Sequence, residues 1–137
     1  MLQSVPNTPS GLLNKYFGYS SFRKGQAEII SSILAQKDTL GIMPTGGGKS
    51  VCYQIPALLF PGVTLVVSPL ISLMKDQVDA LDSLGIASTY INSSLGAREL
   101  GQRLAAAAQG KYKLIYVAPE RLESERFRRL LQNIPVS

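Results

Sequence analysis

The chain contains no histidine. A Ser-His-Asp triad and a histidine-liganded metal site are therefore excluded within these 137 residues. Cys52 is the single cysteine, so no internal disulfide can form, and a reducing, intracellular setting is expected. Its place in an apolar helical segment points to packing rather than catalysis. No apolar block follows Met1 and the first basic side chain is Lys15, so no secretory leader is expected. The longest apolar runs, such as IPALLF, are too short to span a membrane. Charge is also sparse, at 17%, while 45% of the residues are hydrophobic, which excludes a disordered chain and supplies a core. Acidic residues are the scarcer sign: nine against fourteen basic, a net charge of +5. That balance suits an anionic partner, nucleotide or nucleic acid, and equally a merely basic soluble protein. The length suits one domain.

What is present alternates. The opening MLQSVPNTPSG is rich in Pro, Ser and Gly and reads as a loose arm. Two helical pieces broken at Gly18 follow, and in the second Ala27, Ile30 and Leu34 share a face, with Ile29 and Ile33 beside it. TLGIM is expected as a short strand before the glycine run, and KSVCYQIPALLF as a helix that Pro56 ends or kinks. VTLVV is a buried strand, and ISLMKDQVDALDSL an amphipathic helix with Ile71, Met74, Val78 and Leu81 inward. ASTYI and KLIYVA are further strands, with the helix GARELGQRLAAAAQ between them. PERLESERFRRLLQN closes the chain as one helix, with Pro119 near its first position and Phe127, Leu130, Leu131 and Ile134 on one face. Strands alternating with helices predict an α/β fold with a parallel sheet, whose ligands sit at the carboxyl ends of the strands.

The glycine run GIMPTGGGKS, residues 41–50, falls at such a strand end. Gly48, Lys49 and Ser50 match the end of the phosphate-loop pattern G-x-x-x-x-G-K-[ST], but Met43 stands where its first glycine belongs. The context of strand, loop and helix is intact. Successive backbone N–H groups from Gly46 to Lys49 suit a phosphate, and the following helix N-terminus adds partial positive charge. Lys49 would reach the β- and γ-phosphates, and the Ser50 hydroxyl would bind Mg²⁺.

The segment MPTGGGKSVCYQIPAL resembles motif I of the RecQ-type DNA helicases, members of the second helicase superfamily, which carry methionine at that position. FGYSSFRKGQAEII, residues 17–30, resembles their motif 0. VVSPLISLMKDQVDAL, residues 66–81, resembles motif Ia, and YVAPERL, residues 116–122, the motif before their acidic box. INSS, residues 91–94, is a weaker match. Four blocks in register over nearly the whole chain make the resemblance specific. It implies a RecA-like P-loop parallel sheet flanked by helices. In that frame residues 1–137 are the N-terminal part of the first motor domain, with an adenine-recognition segment over about 11–30 and the P-loop at 43–50.

The resemblance also implies roles. Tyr19 and Arg23 would sandwich adenine and Gln26 would bond its edge, because an amide donates and accepts at once. Thr45, Gly46, Gly47, Gly48, Lys49 and Ser50 would hold ATP, with Ser50 on Mg²⁺. Ser68, Pro69 and Leu70, at a strand end, would meet a DNA phosphate through the backbone. Lys75 one turn on would add charge, or is a plain surface lysine. Asn92 and Arg121 would face DNA, while Glu120 suits its helix's first turn. Arg126, Arg128 and Arg129 read as a solvated face, and Tyr53 and Gln54 as scaffold.

Relatives of this kind continue into a strand ending in Asp-Glu-Ala-His, whose acids serve Mg²⁺ and the attacking water. These 137 residues contain no such tetrad and end NIPVS. Asp38 precedes the glycine strand, and Asp76, Asp79 and Asp82 have the spacing of a solvated helix face. The chain is thus expected to be a fragment stopping before that box, with the partners ATP and single-stranded or duplex DNA, bound weakly, and no membrane. An exposed sheet edge would favour self-association. Two alternatives remain open: another P-loop kinase or nucleotidase, and a nucleotide- or DNA-binding module that turns over neither.

Overall fold

A computed structural model describes residues 7–43 and 48–137. The chain divides into two compact units, Met1–Leu59 and Phe60–Ser137.

The first unit begins with α1 (Pro9–Leu12). The loose arm expected here is helical from Pro9 on, for two local reasons: Thr8 Oγ1 accepts a hydrogen bond from Gly11 N at 3.1 Å, and Pro9 occupies the first helical position. A π-helical turn, Leu13–Phe17, runs on to Gly18, whose φ of +74° ends the piece where glycine is the natural residue. Then come α2 (Gln26–Leu34) and α3 (Lys49–Leu59). Their common core is Leu13, Ile30, Val51 and Ile55, with Phe17, Phe22, Leu34 and Leu59 packed against it. Ile30 and Leu34 face inward as their spacing predicts, whereas Ala27 is exposed.

One expectation fails in this unit, and one of the two alternatives at Pro56 is excluded. TLGIM is not a strand: residues 39–43 carry no regular structure, and Leu40 and Ile42 are 87% and 86% exposed. A strand needs a neighbour for its backbone groups, and no pairing is recorded for this segment among the described residues. Pro56 does not end α3, which continues to Leu59. The ring removes one intrahelical donor near the helix end and is itself fully buried.

The second unit is a three-stranded parallel sheet in the order β1-β3-β2. Its strands are β1 (Thr64–Val67), β2 (Ser88–Ile91) and β3 (Leu114–Val117), so three of the four expected strands form. The register pairs Leu65 with Ile115 and Thr89 with Ile115. Every residue of β3 is buried, as a continuous apolar run in a central parallel strand requires. Helix α4 (Ile71–Ser83) connects β1 to β2, and α5 (Ala97–Ala108) connects β2 back to β3. Crossovers are right-handed, so this reversal of direction puts α4 and α5 on opposite faces. The α5 face holds a core of Val63, Ile91, Leu104, Ile115, Val117, Phe127 and Ile134.

The final helix is two: α6 (Pro119–Glu123) and α7 (Glu125–Leu131). Ser124 is extended, with ψ of 119°, and its hydroxyl accepts from Phe127 N at 3.3 Å, which restarts the helix. Residues 135–137 then lie parallel to the chain just before β1, through a bridge between Val63 and Val136. Val63 N donates to Pro135 O at 2.8 Å and Ser137 N to Val63 O at 2.9 Å.

Candidate functional site

In the first unit the candidate residues converge on the start of α3. Gly48 has φ of +78° and delivers the chain directly into the helix, whose first residue is Lys49. Lys49 is exposed and Ser50 is half-buried in the first turn. The first N–H groups of a helix have no intrahelical acceptor, so this terminus suits an anion. Thr45, Gly46 and Gly47 lie outside the described residues.

Gln26 is the residue that joins the two sequence blocks. It is 3% exposed. Its Oε1 accepts from Arg23 N at 2.8 Å, and its Nε2 donates to Gly48 O at 3.0 Å across 22 residues of sequence. A Cβ at position 48 would collide with that Nε2, a second reason for glycine there beyond its positive φ. Tyr19, at 51% exposure, and Arg23 stand on the loop before α2. The donors present fit a nucleotide: a cation and a helix terminus for phosphate, an aromatic face and guanidinium for a base, and a hydroxyl oxygen of the kind Mg²⁺ prefers.

Within α3, Cys52 is buried, with its Sγ 3.7 Å from Met43 Sδ. Burial pushes the thiol above its ordinary pKa, and a backbone hydrogen bond offsets this only in part. The thiolate is the reactive form, so Cys52 is expected to react with Ellman's reagent far more slowly in the native chain than in urea at the same pH. Equal rates would place the thiol at the surface.

In the second unit the other candidates line the carboxyl ends of the strands. Ser68 follows β1 and its N–H donates to Val117 O at 3.1 Å, while its hydroxyl accepts from Leu70 N at 3.1 Å. Leu70 is 57% exposed. Asn92 follows β2, and Arg121 lies in α6 after β3. These two meet: Arg121 Nη2 donates to Asn92 O at 2.8 Å. The Asn92 side chain turns inward, with the residue 2% exposed, and its Oδ1 accepts from Ser94 N at 2.9 Å and from the Ser94 hydroxyl. Asn92 thus shapes the turn, and its carbonyl aims the guanidinium. Lys75 Nζ donates to Asp79 Oδ2 at 2.7 Å, and that carboxylate raises the lysine's pKa. An exposed pair at this helical spacing is worth little, but it holds the ammonium along α4.

The model of DEAD/DEAH box helicases matches residues 23–136, a span that runs through both units. The chain belongs to the DEAD/DEAH box helicase family. Its relatives are of the RecQ type. It is 58% identical over 126 residues to the ATP-dependent DNA helicase RecQ of Bacillus subtilis, covering 91% of this chain and 21% of that protein. It is 52% identical over 133 residues to the protein of the same name from Pasteurella multocida, covering 97% and 21%. The ATP-dependent DNA helicase Q1 of Rattus norvegicus is 44% identical over 118 residues, covering 84% and 19%. The chain therefore spans about a fifth of the length of the curated relatives it matches. The parallel sheet with its crossover helices is that of a RecA-like helicase domain.

Sequence reasoning missed three features of this helicase-family chain. The bond from Gln26 to Gly48 has no local signal, since it spans two blocks 22 residues apart. The inward turn of Asn92 does have one: Asn two residues before Ser is a turn pattern. The cavity beside Gly101 was the third: Arg126 is exposed, as read, but also borders it, and a glycine inside an otherwise good helix pattern was the signal available there. No helix among the described residues is long and apolar enough to cross a membrane.

Proposed function

We propose that this chain carries the ATP-binding half-site and part of the single-stranded DNA track of an ATP-dependent DNA helicase. The observation that carries the reading is the hydrogen bond from Gln26 to Gly48, which ties the base-reading segment to the residue before Lys49. In this reading Tyr19 and Arg23 flank adenine and Gln26 recognises its edge. Gly48 and its preceding glycines give N–H groups to the phosphates, Lys49 neutralises the β- and γ-phosphates, and Ser50 offers its hydroxyl to Mg²⁺. Bound Mg²⁺ would supply charge neutralisation between those phosphates. The same amide that reads the base thus supports the loop that holds the phosphates.

Gln26→Ala should accordingly do two things. It should weaken ATP and GTP alike by roughly three- to tenfold, the value of one neutral hydrogen bond, because Gly48 loses its donor. It should also narrow the preference for ATP over GTP, since a site built to bond one edge rejects a base that leaves its groups unpaired. Competition of both nucleotides against one labelled probe measures it. An unsubstituted chain that binds phosphate well but shows no preference would remove adenine from the assignment.

The DNA-facing set is Ser68, Pro69, Leu70, Asn92 and Arg121, with Lys75 beside it. These residues offer backbone groups and one aimed guanidinium, so few phosphates are neutralised. Binding of single-stranded DNA should be weak, with a salt slope of about −0.7 per phosphate contacted. Fluorescence anisotropy across salt concentrations reads this, and tight binding with a steep slope would mean a larger basic surface. Since β1 is an edge strand with Val67 49% exposed, the reading also includes self-association through that edge, which light scattering would detect.

A further inference from the structure

A cavity of about 220 Å³ opens in the second unit between α5 and the α6–α7 junction. Leu100, Gly101, Leu104 and Phe127 give it apolar walls, and Arg121 and Arg126 also line it. Its lining contains two cations and no carboxylate. Next to it lies a second recess lined by Ser93, Ala118, Glu120, Arg121 and Ser124, at the ends of β2 and β3. Arg121 and Ser124 border both. Arg121 is held between them by the Asn92 carbonyl.

Gly101 supplies an independent observation. It sits inside α5, where glycine is the poorest helix former after proline. Neither ordinary reason for a helical glycine applies. Its backbone is not in the left-handed region, and a Cβ built there would meet nothing within 4 Å. No neighbour demands the missing side chain. What its absence does is keep this wall of the cavity open.

We propose that this cavity takes one base of a bound single strand, with the strand's phosphate on the strand-end side of Arg121. Drug-sized ligands occupy pockets of about 300–1,000 Å³, so this volume suits a single planar ring. A base fits the lining: its faces are apolar and polarisable, its edge accepts hydrogen bonds, and guanidinium planes stack on it. A free phosphate fits the apolar walls poorly. The proposal rests on the single-strand reading above and adds to it a base subsite off the phosphate track.

The test compares two labelled strands of equal length, one of thymidines and one of abasic tetrahydrofuran units, by anisotropy on the 137-residue chain. The unsubstituted chain should bind the thymidine strand about five- to tenfold tighter, the scale of one stacked base. Gly101→Leu, which fills the cavity and favours the helix, should cut that ratio below about twofold while leaving the abasic affinity and the salt slope unchanged. Gly101→Ala, adding one methyl on the same wall, should keep most of the ratio. Arg126→Gln, at an exposed position where no core is disturbed, should lower the ratio without changing the helix signal. Equal affinity for the two strands in the unsubstituted chain would overturn the subsite while single-strand binding stands, and is also what a cavity serving a peptide would give. A ratio intact in Gly101→Leu would overturn it as well. No binding of either strand would overturn both this proposal and the DNA reading.

Discussion

Lys49→Ala is expected to weaken binding of a labelled ATP analogue by about ten- to a hundredfold, the value of one charge-assisted contact to phosphate. The substitution is informative because Lys49 is exposed, so removing its side chain takes nothing from the core of Leu13, Ile30, Val51 and Ile55. Alanine is also a better helix former than lysine, so α3 should persist. A loss of affinity with unchanged circular dichroism would therefore report the ammonium itself. The position agrees with this role. Lys49 is the first residue of α3, where unpaired backbone N–H groups and the helix dipole already favour an anion, and Gly48 turns the chain into it. Equal affinities for the two proteins would take Lys49 out of the site.

The parts of this molecule that could be read from sequence are those whose signal is local. The alternation of β1, α4, β2, α5 and β3 follows from apolar runs and helical spacing, and the fully buried β3 from an uninterrupted LIYV. Gly18 as a helix end follows from the one residue that tolerates its φ. The misses are non-local or compete with a local rule. TLGIM has a strand's composition, but strand structure belongs to pairs, and its apolar side chains remain exposed without one. Pro56 was allowed to end α3 and does not: the ring costs one bond, and its burial offsets that loss. Ser124 splits the last helix because a serine can restart a helix as well as continue one. At the site, Gly48, Lys49 and Ser50 were visible as a motif, while the tie from Gln26 to Gly48 required the fold.

The 137-residue chain, incubated with Mg-ATP, is expected to release phosphate no faster than its Lys49→Ala variant, with or without single-stranded DNA. Phosphoryl transfer is mostly positioning and charge stabilisation. Lys49 can neutralise charge on the γ-phosphate, and Ser50 can offer an oxygen to magnesium. What orients the attacking water must be an acid near that phosphate, and three of the nine acids stand in ion pairs elsewhere among the described residues. Asp79 holds Lys75, Glu99 lies 3.9 Å from Arg103, and Glu125 lies 3.4 Å from Arg129. Glu28 sits in the first turn of α2, and Asp38 precedes residues 39–43. Among the described residues no three His, Cys, Asp or Glu side chains gather as a metal site would need. An arginine finger is worth roughly 10³–10⁵ in rate where such a group has been measured, and in this reading Arg23 flanks the base rather than the γ-phosphate. DNA should not restore turnover, because the residues proposed to face it, Ser68, Pro69, Leu70, Lys75, Asn92 and Arg121, include no acid that could serve the water. Phosphate release that rises with DNA and disappears in Lys49→Ala would show that one of these acids serves the water. Glu28 and Asp38, the two in the same unit as Lys49, would be the first to replace.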